Sequence, residues 1–182
     1  VKANSELTYY LDIKGDGIDK FGVKSSDSNI SSIRSGVINI TDKLPQGLTF
    51  TGFVTTEDGT IGAVQRGNNL ISCPGKVIDD THEESLTEGK WNTSNTEYTY
   101  HGLHYNKNTN TVSFKVDQLM SGCVLTVGIK TQTPSTIDDP DTTVVEKRRD
   151  FYNFGEFKEN TVNGKSNTVH VYMGDDSETS YS

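Results

Sequence analysis

The chain has 182 residues, a formal net charge of −8, and only 31% hydrophobic residues. Mean hydropathy is −0.59 and no apolar run reaches membrane-spanning length. No basic cluster is longer than "EKRRD", so the composition argues against nucleic-acid binding, which needs a dense basic footprint, and against membrane contact.

The low apolar share reflects many Thr, Ser, Asn and Gly rather than charge blocks, a composition suited to strands with one wet face. The opening residues, "VKANSELTYY", lack an initiator Met and a signal-peptide pattern, as expected of a mature fragment whose targeting and anchoring signals lie outside it. "LTYYLDIK" (7–14) then alternates, with Leu7, Tyr9, Leu11 and Ile13 on one face, and reads as a half-buried strand. A Gly/Ser/Asp-rich surface loop is expected after it. Its Asp16 and Asp19, with Asp12, lack the order of a known calcium loop, so surface charge is the expected role.

"VINITD" (37–42) is predicted to be a strand, "LPQG" a turn preset by Pro45 and Gly47, and "LTFTGFV" (48–54) the returning strand. Asp42 falls in phase with Ile38 and Ile40 and therefore shares their face. Two roles are open to it: an acid buried in that face, or a cap on the turn through its own side chain. Turn and packing is the expected role.

Residues 55–95 are the least regular stretch. They read as an elaborated insertion with turns at 58–59, 67–69 and 74–75, and one helical turn within 79–89. "EYTYHGLHYNKNTNTVSFKV" (97–116) reads as a hairpin turning at 106–110, with Val112, Phe114 and Val116 inward. Trp91, Tyr98, Tyr100 and Tyr105 gather near it. They are weighed as a sugar-stacking platform and as ordinary packing residues, with packing expected. His101 and His104, three apart, should face opposite sides of a strand, which disfavours joint metal ligation.

"GCVLTVGIKTQT" (122–133) is a strand. Its Cys123 shares a face with Leu125, Val127 and Ile129, and a disulfide with Cys73 is expected in an oxidising compartment. "RRDFYNFGEFKE" and "SNTVHVYM" are the last strands, joined through an Asn-Gly turn at 163–164, before a polar tail at 175–182. Seven to nine strands with almost no helical periodicity predict an all-β sandwich in a single domain over 1–174. No catalytic motif occurs; no enzyme activity, metal or other cofactor is expected.

"ANSELTYYLDI", "VINITDKLPQGLTF" and the closing "NF…SNTVHVYM" together resemble the DUF11-like and isopeptide-forming fimbrial domains of bacterial surface proteins. The match covers residues 5–13 and 37–50 well and 150–173 fairly. Asn4-Ser5 stands where the family usually has Gly, and Phe154-Gly155 where it has Thr-Ala. The resemblance implies an immunoglobulin-like β-sandwich with long loop insertions, located extracellularly on the surface of a Gram-positive bacterium. It implies an adhesin, stalk or pilus-like module beside neighbouring domains of the same protein. A tip domain binding host glycan or host protein is the alternative, and a secreted carbohydrate-active enzyme a distant one.

Some members of these families carry a Lys–Asn isopeptide bond promoted by a buried acid. Here the residues so implied are Lys2, Asp42 and Asn153, with Asn167 as the alternative electrophile because it shares a face with Val169 and Val171. Lys2 precedes the first strand, and its parity sets it opposite Leu7 and Tyr9. A stalk module should have its termini at opposite ends and no deep cleft; a binding domain should expose Trp91 or several tyrosines together.

Overall fold

A computed structural model describes residues 1–15, 37–54, 63–65, 76–80, 88–117, 123–137, 148–159 and 161–174, with backbone alone at 14–15, 63–65, 76 and 123–124. Among the described residues every regular element is a strand. They are β1 (Glu6–Gly15), β2 (Ile38–Lys43), β3 (Thr49–Phe53), β4 (Ala63–Gln65), β5 (Lys76–Val77), β6 (Lys90–Trp91) and β7 (Glu97–Tyr100), followed by β8 (Leu103–Asn106), β9 (Thr111–Asp117), β10 (Cys123–Gln132), β11 (Arg148–Asn153), β12 (Glu156–Glu159), β13 (Val162–Lys165) and β14 (Val169–Gly174).

All pairings are antiparallel. In one sheet β10 is central, with β1 along one side and β3 and β4 along the other. The other runs β13-β12-β2-β9-β8-β7-β6, with β5 also on β9. A two-stranded ribbon, β11 with β14, completes the fold.

The core follows from alternation. Leu125, Val127 and Ile129 of β10 and Val112 and Val116 of β9 are fully buried, as is Leu103 of β8. Each such side chain contributes about 1.5–3 kcal/mol of burial. The buried Thr131 hydroxyl donates to the Leu7 carbonyl at 2.6 Å, so a polar group in this layer is paired. The all-β sandwich expected from the sequence is thus the observed architecture.

Three local departures have physical causes. The stretch at 97–116 is three strands, because His101 (φ 45°) and Gly102 (φ 88°) turn the chain between β7 and β8. Asn163-Gly164 lies inside β13 rather than in a turn, with Gly164 opposite Phe157. A side chain at 164 would strike the Phe157 ring, so the glycine here provides close approach. The predicted strand "RRDFYNFGEFKE" is broken at Phe154-Gly155, between β11 and β12.

Asn4, where the resembling families carry Gly, has φ 52°. Asn tolerates the left-handed region better than most residues, so it can hold this conformation without a glycine. The nearby Val1 nitrogen donates to the Tyr172 carbonyl at 2.6 Å. The first residue and β14 are therefore neighbours.

Gly102 has a positive φ, and a Cβ there would run into the Ile78 carbonyl oxygen. Replacing it with alanine combines backbone strain with a backbone clash. Gly102→Ala should lose roughly 1–3 kcal/mol in urea unfolding, whereas an unchanged midpoint would show that the β7–β8 turn relaxes freely.

Candidate functional site: a buried acid–amide pair

β2 alternates buried and exposed, so Ile38, Ile40 and Asp42 all face inward. Asp42 lies opposite Val112, a fully buried residue of β9. Asn153 ends β11 opposite Val169. Beyond the break at 154–155 the chain joins the edge of β2, where Glu156 faces Thr41. That crossing brings Asn153 beside Asp42, one residue further along β2.

The Asn153 amide Nδ2 donates to Asp42 Oδ2 at 3.2 Å. Asp42 is 1% exposed and Asn153 4%. The other oxygen of each, Asp42 Oδ1 and Asn153 Oδ1, is buried and has no hydrogen-bond partner among the described residues. Burial raises the Asp42 carboxyl from 3.8 to about 7, against the smaller downward pull of the Asn153 hydrogen bond. Charging a carboxylate in an apolar site is costly, so this acid remains substantially protonated near neutrality.

This geometry corrects the expected capping role of Asp42. Its Oδ2 bonds Asn153, while the following turn closes through the Leu48 amide and the Pro45 carbonyl. Of the residues named for a cross-link, Asp42 and Asn153 meet, whereas Lys2 and Asn167 are exposed. The Lys2 carbonyl accepts from Ser5 and Thr133, tying its backbone to the end of β10. Asn167 precedes β14, so the strand phase that would have turned it inward does not apply.

The aromatic group is chiefly packing. Tyr100 and Tyr105 are buried at 1% and 5% exposure, which corrects them as stacking surfaces. Tyr105 instead stacks on Phe50 with ring centroids 4.0 Å apart. Tyr98 is half-buried beside Phe50, and Trp91 lies at the rim. Among the described residues the most exposed tyrosines are elsewhere: Tyr10 and Tyr152.

Cys73 lies outside the described residues and Cys123 contributes backbone alone, so the expected disulfide lies outside the description. Asp16 and Asp19 are likewise outside it. Asp12 accepts from the Thr126 hydroxyl at 2.8 Å. Among the described residues no group of three or more His, Cys, Asp or Glu side chains could hold a metal.

No family model and no curated protein matches the chain. Several solved structures align with most of the chain. The C-terminal domain of the Streptococcus agalactiae AgI/II polypeptide BspA is 15% identical over 93% of this chain and 43% of that one, with a TM-score of 0.45. The N-terminal domain of the Streptococcus gordonii adhesin Sgo0707 is 12% identical over 93% of this chain and 28% of that one, also at 0.45. A collagen-binding domain from a Staphylococcus aureus adhesin is 12% identical over 93% and 88%, at 0.44. The chain thus spans less than half the length of the two streptococcal chains, and none of these likenesses gives a residue here its role.

Three His–Asp pairs were not anticipated, two of them beside β8. His101 Nδ1 lies 3.3 Å from Asp79 Oδ2, and His104 Nε2 lies 2.8 Å from Asp80 Oδ1. They hold residues 79–80 against β8 and the turn before it. On the ribbon, Asp150 contacts His170 at 2.6 Å and Arg148 at 2.9 Å. Adjacent acids far in sequence from two histidines gave no local signal of either pairing.

Proposed function

We propose that this chain is a non-catalytic adhesion module of a bacterial cell-surface protein, working outside the cell beside neighbouring domains of that protein. The observation that carries this reading is a convergence. "TDKLPQGLTF" and the closing "NF…SNTVHVYM", the segments that resemble surface-protein domains, meet in one buried pair, Asp42 with Asn153. In this reading the pair is a polar clasp between β2 and the ribbon, and the exposed Lys2 is not joined to it. Host glycan or host protein is the partner class.

Antibodies raised against the purified chain should label intact, unpermeabilised cells of the producing bacterium. Labelling only after lysis would overturn the surface assignment. Intact mass tests the clasp separately. The chain should carry its full calculated mass; a deficit of one ammonia would mean that a lysine amine has condensed with an asparagine side chain. A cavity beside the pair favours the ligand-binding form of this reading, and beads coated with the chain should adhere to an array of host glycans and matrix proteins. Silence across that array would favour a purely structural module.

A further inference from the structure

The outer face of the large sheet carries an open recess of about 330 Å³. Its floor follows from the alternation that builds the core. Ile40, Phe114 and Tyr105 point inward, so Thr41, Ser113 and His104 point outward. They form one cross-strand row: Thr41 lies opposite Ser113, and Ser113 opposite His104. Asn39 and Lys115 face each other in the next row. The chain at 78–80 borders this floor and is fixed at three points. The Ile78 amide donates to the Lys115 carbonyl at 2.9 Å, Asp79 contacts His101, and Asp80 contacts His104 at 2.8 Å.

The recess offers donors and acceptors side by side. Among the described residues the Thr41 and Ser113 hydroxyls have no hydrogen-bond partner, and the Lys115 ammonium has no ion pair. Asn39 makes one long contact, 3.5 Å from Nδ2 to the Lys158 carbonyl, which leaves its Oδ1 as an acceptor. A carboxylate only accepts, so Asp80 places the proton of the neutral His104 ring on Nε2 and leaves Nδ1 as a further acceptor. Asp80 and Glu97, both exposed, add carboxylate oxygens to the lining.

This inventory separates the ligand classes. An anion brings acceptors alone; it can take Lys115 but meets two carboxylates, on a chain of net charge −8. A cation brings donors alone and is repelled by Lys115. An apolar group leaves the hydroxyls and the ammonium dry and unpaired. A sugar hydroxyl both donates and accepts, so neighbouring hydroxyls of one ring can serve Lys115, Ser113, His104 and Asn39 together. The volume lies at the lower end of the roughly 300–1,000 Å³ of ligand pockets, which suits one sugar ring or the end of a short chain.

We propose that the recess over Thr41, Ser113 and Lys115 is a binding site for a neutral sugar unit. The proposal rests on the reading of the chain as a binding module and names the place and the sugar class. His104 shapes the site by fastening the chain at 78–80 beside it, and Asp80 fixes the ring nitrogen that faces a ligand donor.

The test is a titration of the intact chain followed by backbone amide NMR. The probes are the methyl glycosides of galactose, mannose and N-acetylglucosamine, with N-acetylneuraminic acid and inorganic phosphate as anionic counterparts. At least one neutral glycoside should shift the amides of Ser113, His104 and Lys115 saturably, about tenfold or more tightly than either anion. Each sugar is also tested as the terminal unit of a disaccharide. Tighter binding of the disaccharide assigns the source to a glycan chain, and binding no tighter assigns it to a free sugar; either supports the site.

Thr41→Val combined with Ser113→Ala removes both hydroxyls from an outward face and should weaken the sugar about tenfold or more, as should Lys115→Met. Unchanged amide positions away from the recess show that these variants are folded. Three results overturn the proposal: an anion that binds as tightly as the sugars, shifts that survive the substitutions, or no shift at tens of millimolar sugar. Cell-surface labelling is independent of this titration. Adhesion to glycans that persists in the substituted proteins would remove this site and leave the binding-module reading standing, so the two failures are distinguishable.

Discussion

Asp42→Asn should make the protein more stable at pH 8 than the wild type and should flatten part of its pH dependence. The sign follows from the direction of the shift. The folded-state carboxyl is raised by burial from 3.8 to about 7. Between those values the folded chain holds a proton that the unfolded chain has released. Stability from this group is therefore present at low pH, declines as pH rises from roughly 4 to 7, and is constant above that window. A shift of this size corresponds to about 4 kcal/mol across the window.

The substituted amide is neutral throughout and lacks this decline. Asp150 does not confuse the comparison. Burial pushes its carboxyl up, but hydrogen bonds from His170 and Arg148 outweigh that and hold it low. Its contribution is present above its ordinary value, is lost only as pH falls, and is common to both proteins. Urea midpoints for the two proteins at pH 4, 5, 6, 7 and 8 should diverge with rising pH. Parallel curves would show that the carboxyl titrates normally and is not buried as described.

The second large effect is expected at Phe151. It faces the core at 1% exposure, opposite Val171, which is equally buried. Arg149 covers the ring, with its guanidinium carbon 5.5 Å from the centroid. Truncation to alanine removes the ring and leaves a cavity where the ribbon meets the sandwich. Phe151→Ala should cost about 3–5 kcal/mol. Tyr152 provides an internal control, being 58% exposed on the same strand. Tyr152→Ala should stay within about 0.5 kcal/mol of wild type. Equal losses for the two would mean that the alternation assigned to β11 is out of phase by one residue.

How much of this was legible in the sequence differs from element to element. Ile38, Ile40 and Asp42 declare their common face through period-two spacing, and the structure buries all three. The same logic failed at Asn167, because phase carries information only within a strand and β14 begins two residues later. Gly102 was the one local sign of the turn that divides β7 from β8. A histidine before it, rather than Asn or Asp, concealed the turn. Asn163-Gly164 misled in the opposite direction: pairing with β12 overrode a dipeptide that ordinarily marks a turn. Asp42 and Asn153, 111 residues apart, meet only through tertiary crossing, and no local pattern can report the hydrogen bond between them.

The single tryptophan gives this molecule a built-in optical probe. Trp91 lies edge-on to Phe50, with centroids 6.2 Å apart, and close to Tyr98 and Tyr105. Phe50 belongs to one layer of the sandwich, and the three rings around it to the other. Separation of the layers would take Phe50 away from the indole, open that face to water and move its emission to longer wavelength. Intrinsic fluorescence therefore reports on the joining of the two layers, whereas the distant acid–amide pair is followed by its own amide resonance. Comparing the two signals during unfolding would show whether the ribbon detaches before the layers part.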